Sequence, residues 1–166
     1  MLIDKLKTRF SDDVLSAEEA HGEETIVVGR DRAPEILRAL RDEPEFAFDM
    51  LADLTAVDWP QRTPRFQVAY HLHSISLKHR IRIKIEVTEQ DAWVDSAIGI
   101  WKAADWLERE CYDMFGIMFR GHPDLRRILL YDSFVGHPLR KDYPATRRQP
   151  IVEETDPVAA PLRSSR

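Results

Sequence analysis

In two neighbouring segments of this chain, apolar and polar residues alternate over eight residues or more. Few structures other than a β-sheet with one buried face accommodate such a pattern. The alternating apolar residues are Phe66, Val68, Tyr70 and Leu72 in residues 65–74, and Ile81, Ile83, Ile85 and Val87 in residues 80–89. A period of two places all of the apolar side chains of a strand on one face. It predicts half-buried antiparallel strands. The short link at residues 76–79 predicts that the two strands form a hairpin.

The rest of the chain up to residue 115 predicts helices and further strands around that hairpin. We expect a helix over residues 1–10, a strand over 25–29, a helix from Pro34 to about residue 41, a helical turn from 49 that leads into a strand at 54–59, and a helix over 103–115. Gly116 suits a left-handed helix end. The predicted fold is α+β with two layers. A small, mostly antiparallel or mixed sheet carries helices on one face, and an extended C-terminal arm follows.

Residues 116–150, which we call the arm, have no sustained helical or strand period. They are nevertheless rich in large apolar residues, which disordered segments lack. Such side chains need a surface, either on the chain's own domain or on a partner. We expect the domain to span residues 1–115 and the arm to become ordered along a partner protein. A flexible tail should follow over residues 151–166.

Charge separates the domain from the arm. Residues 1–115 carry 15 Lys and Arg against 23 Asp and Glu, whereas residues 116–150 carry seven against three. A basic arm on an acidic domain indicates an acidic docking surface, on this chain or on another. The acidic domain argues against binding to the nucleic-acid backbone.

Composition excludes several kinds of site and segment. Cys111 is the single cysteine, so the chain can form no internal disulfide, no C-x-x-C pair and no iron–sulfur cluster by itself. No apolar run reaches the roughly 20 residues that a spanning helix needs. The first residues lack the apolar core of a secretory signal, so we expect none.

Several residues could support chemistry, and each also has a simpler structural interpretation. His71 and His73 share one face of a strand but lack further ligands nearby for a metal. His122 and His137 each lie in a Gly-His-Pro turn, which favours a rigid corner over a shared metal site. Cys111 falls on the apolar side of its helix, where a free cysteine is usually inert packing.

Acidic residues cluster on the helix at residues 103–115. Asp105, Arg109 and Asp113 are spaced four apart and predict ion pairs along the helix. Glu110 lies beside the apolar stripe. If it is buried it needs a cation, and Arg126 or Arg127 of the arm could supply one.

Three runs in this region resemble a known family. ADWLERECYDMFGI, FRGHPDLRRILL and GHPLRKDYP follow one another at close spacing. They resemble the C-subunit family of respiratory NADH–quinone oxidoreductase (complex I). The dense part of the likeness covers residues 101–144, and residues 54–58 and 66–72 agree more loosely. Lys102 and Tyr131 depart from the family pattern.

The resemblance implies a non-catalytic subunit in the hydrophilic arm of that complex, which transfers electrons from NADH to quinone. Its partners would be the large quinone-site D subunit and the neighbouring B and I iron–sulfur subunits. It implies that the chain itself binds no cofactor, although the whole complex uses FMN, iron–sulfur clusters, NADH and quinone. It places the chain at the cytoplasmic side of the bacterial inner membrane, attached only through the complex.

The resemblance also implies an interface, with no catalytic, cofactor-binding or metal-binding residue in this chain. On the helix the interface residues are Glu108, Arg109, Glu110 and Asp113. On the first leg of the arm they are His122, Pro123, Asp124, Arg126 and Arg127. On the second leg they are Gly136, Pro138, Leu139, Arg140, Lys141, Asp142 and Tyr143.

Two alternatives remain open at the level of sequence. The chain could be the homologous subunit of a membrane-bound hydrogenase or of another quinone-reducing dehydrogenase. It could also be a free-standing metal-dependent hydrolase that uses His122 and His137.

Overall fold

Three α-helices and seven strands follow one another in a computed structural model that describes residues 2–149 and 151. The elements are α1 (Leu2–Arg9), β1 (Val14–Ala20), β2 (Glu23–Val28), α2 (Ala33–Asp42), β3 (Met50–Asp58), β4 (Phe66–Ser74), β5 (His79–Val87), β6 (Trp93–Asp95), α3 (Ala104–Phe115) and β7 (Met118–Arg120). A 3-10 turn at Arg30–Arg32 leads into α2. In the described part of the chain, no helix is long and apolar enough to cross a membrane.

The main sheet has five strands in the order β1-β2-β5-β4-β3. β2 and β5 pair in parallel, and the other neighbours pair antiparallel. The predicted hairpin is confirmed, because β4 and β5 pair along their full length with Tyr70 opposite Ile83. A second sheet joins β6 and β7 in parallel. The α+β class and the mixed sheet are therefore confirmed.

One face of the main sheet carries the core. The alternating apolar side chains of β4 and β5 were predicted to share one buried face, and all of them are buried there. Each helix turns its apolar stripe into the same cluster, as Leu6 of α1, Leu40 of α2 and Cys111 of α3 show. Burial of a large aliphatic side chain contributes roughly 1.5–3 kcal/mol, so this shared core holds the two layers together.

Two elements differ from the sequence expectation, and both differences have local causes. β3 is a strand from Met50 onward, with no helical turn, and an irregularity between Leu51 and Asp53 breaks its period of two. Such a bulge hides the alternation that identifies a strand. β1 was not predicted at all, because its sequence VLSAEEA favours helix. Pairing with β2 overrides that preference.

The domain continues past residue 115. Ile117 and Phe119 are buried in the core, and β7 pairs with β6. The arm therefore begins inside the domain, and its extended part starts after Arg120. Of the expected tail, only Ile151 lies within the described residues.

Tyr70 carries the one buried side-chain polar atom in the described part of the chain that lacks a hydrogen-bond partner. A buried polar group without a partner costs roughly 1–3 kcal/mol of stability. We predict that Tyr70→Phe leaves the free energy of unfolding unchanged or raises it. Denaturant titration measures this, with Ser96→Ala as the control, because the Ser96 hydroxyl does have a partner. A loss of more than about 1 kcal/mol in Tyr70→Phe would show that the phenol is paired.

Candidate interface

Asp113, at the end of α3, fastens the first leg of the arm to the domain. Its side chain has no exposed surface. One carboxylate oxygen accepts the backbone N–H groups of Ile128, Leu129 and Leu130 at 3.1, 2.9 and 2.9 Å. The other oxygen accepts Arg127 Nη1 at 2.6 Å. A single buried carboxylate thus orders four consecutive residues that have no regular secondary structure of their own.

Arg127 carries the connection further along the arm. Its Nη2 donates to the carbonyl oxygens of Phe134 and Gly136 at 3.1 and 3.0 Å. The guanidinium also lies 5.7 Å from the centre of the Phe134 ring. Because Arg127 is bound to Asp113 at the same time, the turn at residues 134–136 is tied to α3 through one side chain.

The electrostatics of Asp113 match this role. Burial alone would raise the pKa of its carboxyl group. The N–H of Leu130, the guanidinium of Arg127 and the N–H groups of Leu129 and Ile128 outweigh burial and hold the pKa below its ordinary value. Bonds to an ionised acceptor are stronger than neutral ones, so the carboxylate is charged at neutral pH and suited to hold the arm.

Two more contacts close the junction between α3 and the arm. Arg109 donates to the carbonyl oxygens of Arg126 and Arg127 at 3.2 and 3.1 Å. His137 places Nδ1 2.9 Å from the carbonyl oxygen of Asp113, and its ring packs against Gly116. A Cβ on Gly116 would lie 2.8 Å from that ring, and the residue has φ of 79°. Both facts require glycine there.

The second leg of the arm is fastened by Asp58, at the end of β3. Its side chain is fully buried and accepts Arg65 Nε and Nη2 at 2.8 and 2.9 Å, a two-pronged ion pair. The Arg65 guanidinium holds the pKa of Asp58 below its ordinary value. The backbone N–H of Lys141 donates to the same carboxylate at 2.7 Å. This bond joins residues that are 83 positions apart in the sequence and attaches the arm to the sheet.

Charged side chains surround that bond on the surface. Asp142 accepts Arg65 Nη1 at 3.0 Å and Arg140 Nε at 3.0 Å. Arg140 also pairs with Glu89, which lies just beyond β5, and Arg65 pairs with Glu89 at 2.9 Å. The network joins the residue before β4, the residue beyond the end of β5 and the arm, so the second leg lies against the ends of these strands.

The arm therefore has a surface on its own domain, whereas the sequence was expected to leave its ordering to a partner protein. The helix ion pairs expected for Arg109 are wrong, since Arg109 binds backbone carbonyls of the arm. The suggested pairing of Glu110 with Arg126 or Arg127 does not form, because Arg127 binds Asp113 and Arg126 binds Asp124 at 2.8 Å. Glu110 is exposed.

The remaining predicted residues lie along the same path. Pro123 and Asp124 are exposed at the first bend, and Pro138 is half-buried beside α3. The N–H of Leu139 donates to the carbonyl oxygen of Met114 at 3.1 Å. Tyr143 stacks on Phe134 with ring centres 6.0 Å apart. Gly136 has φ of 102°, and a Cβ at this position would lie 2.8 Å from the Tyr143 ring.

Glu108 lies inside the domain and holds a different segment. Its side chain accepts the Ser96 hydroxyl and the Ala97 N–H, each at 2.6 Å, at the start of the turn that follows β6. Burial raises the pKa of Glu108 to about 7, although the bonds from Ser96 and Ala97 lower it in part. Like Asp113 it has no exposed surface, so it can affect an interface only through the elements that it positions.

The two histidines of the Gly-His-Pro turns do not form a shared site. His122 Nε2 lies 3.1 Å from the carbonyl oxygen of Asp105, near the start of α3, and His137 binds Asp113, near its end. Eight residues of helix separate those carbonyls by about 12 Å. Among the described residues, no group of three or more His, Cys, Asp or Glu side chains could hold a metal ion. The geometry does not support a hydrolase built on His122 and His137.

Several of the residues that face outward on the arm are apolar. Leu129, Leu139 and Val135 are 62%, 50% and 48% exposed, and Tyr131 is exposed beside them. The backbone N–H groups of Leu129, Val135 and Leu139 are all bonded within the chain. The fold thus defines a class of protein: a small α+β domain whose C-terminal segment is fastened to it and presents apolar side chains to the solvent.

Sequence reasoning missed part of this arrangement. Asp58, Arg65 and Glu89 anchor the second leg, but they lie in or beside strands far from the motif-rich region. Buried Asp58 sits where a strand pattern would place an apolar residue, and that departure was the available signal. Their pairing across the sheet is visible only in three dimensions.

Known proteins match the chain closely. The family described as "Respiratory-chain NADH dehydrogenase, 30 Kd subunit" matches residues 26–149. The NADH-quinone oxidoreductase C subunit of Citrifermentans bemidjiense is 53% identical over 140 residues, which cover 84% of this chain and 86% of that protein. The corresponding C subunit of Geobacter sulfurreducens is 45% identical over 141 residues, with the same shares covered. The chain belongs to the family of the 30 Kd subunit of respiratory-chain NADH dehydrogenase.

Solved structures agree on the fold. Nqo5, solved as a trypsin-resistant fragment (1-134), superposes with a TM-score of 0.66 at 30% identity and covers 75% of this chain and 100% of that chain. A chain of the membrane-bound sulfane sulfur reductase, an archaeal respiratory membrane complex, superposes with a TM-score of 0.74 at 21% identity, covering 87% of this chain and 85% of its own. The second likeness shows a common fold only.

We predict that Asp113→Asn releases the first leg of the arm. An amide cannot replace the charge opposite Arg127, and breaking a buried pair costs roughly 3 kcal/mol. Denaturant titration should show that loss, and limited trypsin digestion should cut earlier at Arg126 and Arg127. Asp132→Asn, exposed on the same arm, is the control and should change stability by less than about 0.5 kcal/mol. Equal behaviour of the two variants would contradict the anchoring role.

The raised pKa of Glu108 predicts a pH-dependent stability. The folded chain keeps this proton up to about pH 7, whereas the unfolded chain releases it near the ordinary value, so stability falls as pH rises between them. Glu108→Gln has no such proton to release, so this contribution to the pH dependence of stability is absent from the variant. The difference in unfolding free energy between variant and wild type should shift by roughly 2–3 kcal/mol in favour of the variant from pH 5 to pH 8. A difference independent of pH would show that Glu108 titrates normally.

Proposed function

We propose that this chain is a non-catalytic structural subunit of the hydrophilic arm of a NADH–quinone oxidoreductase. Its arm docks on the large quinone-site D subunit and lies near the B and I iron–sulfur subunits. The protein supports electron transfer from NADH to quinone by holding its neighbours in place. It belongs at the cytoplasmic side of the bacterial inner membrane and reaches the membrane only through the complex.

The observation that carries this proposal is the orientation of the arm. Asp113 and Asp58 bind its backbone from inside the chain, which leaves Leu129, Val135 and Leu139 turned outward. Neighbouring exposed apolar side chains on a rigid support are typical of a protein–protein interface. A segment that is already ordered loses little conformational entropy when it docks, which favours affinity.

The distribution of charge also supports docking through the arm. Lys141 and Arg148 of the arm are also exposed, and the arm as a whole is basic while the domain is acidic. An apolar centre with a charged rim is the usual plan of an interface. The partner surface should therefore offer apolar pockets with carboxylates around them.

The family supports the assignment to the complex. The relatives that match over most of their length are named as the C subunit of NADH-quinone oxidoreductase. The titratable groups with shifted pKa values serve packing, the two anchors or ion pairs on the surface, and His71 is the one of them that lines a groove on the sheet face opposite the core, among the described residues. This distribution supports a structural role over a catalytic one.

Replacing Leu129 and Leu139 together by Asp tests the proposal. Both side chains are exposed, so the free chain should keep its thermal unfolding temperature within a few degrees. In cells, the variant should be lost from the purified complex, because charges on a docking surface cost roughly 2–5 kcal/mol when they are desolvated without partners. Quantitative mass spectrometry of the complex measures the retained chain.

The matched control is Leu15→Asp with Ile75→Asp, which places two charges on exposed apolar positions away from the arm. This variant should be retained at the wild-type level. Normal assembly of the Leu129→Asp, Leu139→Asp variant would contradict the proposal. Loss of both variants alike would show that any added charge disturbs assembly.

A further inference from the structure

Three of the four tryptophans of the chain have partners inside it. Trp101 is buried and donates its indole N–H to a backbone carbonyl at 3.0 Å. Two guanidinium groups lie 3.8 and 3.2 Å from the centre of the Trp93 ring, and another lies 4.2 Å from the Trp59 ring. The side chain of the fourth, Trp106, is 70% exposed and forms no hydrogen bond or ring contact with any described residue.

Trp106 lies in the first turn of α3, next to the face of the helix that holds the arm. Asp105, Arg109 and Asp113 mark that face, and each of them contacts the arm. A helix turns by roughly 100° and rises by about 1.5 Å per residue. Trp106, seven positions before Asp113, therefore projects within about 20° of the direction of Asp113 and about 10 Å away along the axis.

The exposed apolar surface of the arm lies on the same side of α3. Asp113 binds the N–H of Leu129 at 2.9 Å, and the Leu129 side chain is 62% exposed. Arg109, three positions after Trp106, holds two backbone carbonyls of the arm. An interface of standard size covers roughly 800 Å² on each partner, which is wide enough to include both the indole and the leucine. The docking surface proposed for the arm is therefore continuous with the helix face at Trp106.

Two exposed charges flank Trp106. Lys102 lies four positions before it, in the turn that precedes α3, and Glu110 lies four positions after it. Neither forms an ion pair with any other described residue. The nearer charges are engaged, since Arg109 binds carbonyls of the arm and Asp105 lies 3.3 Å from an imidazole nitrogen of the arm. The indole is thus exposed between one cation and one anion that are both open to a partner.

We propose that Trp106 anchors the same partner subunit that docks on the arm, by inserting its indole into an apolar pocket of that subunit next to the pocket for Leu129. The proposal rests on the proposed function and extends its surface from the arm onto α3. The pocket should offer an acceptor to the indole N–H, because a buried donor without a partner is costly. Its rim should present an acid toward Lys102 and a base toward Glu110.

An indole on this helix is suited to act as an anchor. A few residues supply most of the binding free energy of an interface, and tryptophan is enriched among them. Its side chain offers a large contact area with only two rotatable bonds. α3 is packed on the core on one side and bound to the arm on another, so the indole is presented from a rigid support. Such a group loses little conformational entropy on docking.

Competition between variants during assembly tests the anchor. Wild type and Trp106→Ala, expressed together at equal levels, differ in mass, so quantitative mass spectrometry gives their ratio in the purified complex. The variant should be recovered at least roughly tenfold below wild type, because truncation of a central tryptophan weakens binding by that much or more. The free variant should keep its thermal unfolding temperature within a few degrees, since the side chain is mostly exposed.

The matched control is Ile75→Ala, which truncates a similarly exposed apolar residue, 62% exposed, in the loop between β4 and β5. This control should be recovered in the same amount as wild type. Trp106→Phe, which keeps an aromatic ring, should give an intermediate ratio. Equal recovery of Trp106→Ala and wild type would overturn the proposal.

Hydroxyl-radical labelling of the wild-type chain gives a readout without any substitution. In the complex, the oxidation rate of Trp106 relative to the free full-length chain should fall roughly fivefold or more, because the centre of an interface excludes water. The rate at Ile75 should stay the same. An unchanged rate at Trp106 would contradict the anchor. Protection that appears in the free chain and rises with its concentration would also contradict it, since the occupant would then be a second copy of the chain.

The outcomes separate this inference from the proposed function. If the wild-type chain does not purify with any NADH–quinone oxidoreductase subunit, the proposed function fails. If the Leu129→Asp, Leu139→Asp variant is lost from the complex while Trp106→Ala competes equally with wild type, only the anchor fails. Poor recovery of Trp106→Ala, with normal unfolding of the free variant, supports the anchor.

Discussion

A buried carboxylate at the end of a helix determines how the first leg of the arm is arranged. Asp113 accepts three consecutive N–H groups of the arm and the guanidinium of Arg127, which in turn holds two further carbonyls. Without an ionised acceptor at that point, the N–H groups of residues 128–130 and the guanidinium of Arg127 would lose the partner that the structure gives them. The position of the Asp113 carboxylate depends on α3. The helix ends at Gly116, where the His137 ring packs and binds the carbonyl oxygen of Asp113.

The second anchor repeats this arrangement with strands. Asp58 is held by Arg65 across a turn and binds the backbone of Lys141. Two aspartates, one at a helix end and one at a strand end, thus fix the two legs of the arm. Since each satisfies polar groups of the arm from within, the apolar side chains of Leu129, Val135 and Leu139 are left exposed to a partner. This division explains how a basic, charged segment can also present apolar side chains to the solvent.

The sequence patterns predicted much of the fold but few of the contacts that anchor the arm to the domain. The period of two identified β4 and β5 because both have one buried face, and the apolar stripe with a terminal glycine identified α3. β1 was missed because its helix-favouring residues become a strand only by pairing with β2. Asp113 and Arg127 were both singled out by the sequence, but their pairing joins positions 14 apart without a periodic relation. Asp58, Arg65 and Lys141 are joined by a contact that spans 83 positions, which a linear pattern cannot indicate.

The arm is ordered on its own domain in the single chain, and the outward placement of Leu129, Val135 and Leu139 depends on this order. Hydrogen exchange of the isolated full-length chain tests this most directly, at the amides of Ile128, Leu129 and Leu130. Bonded to a buried carboxylate, these amides should exchange roughly a hundredfold or more slowly than the same amides in an unfolded chain, in proportion to the free energy of opening. Exchange at the rate of an unfolded chain, with protection gained only after assembly, would contradict this order of events and show that the partner orders the arm.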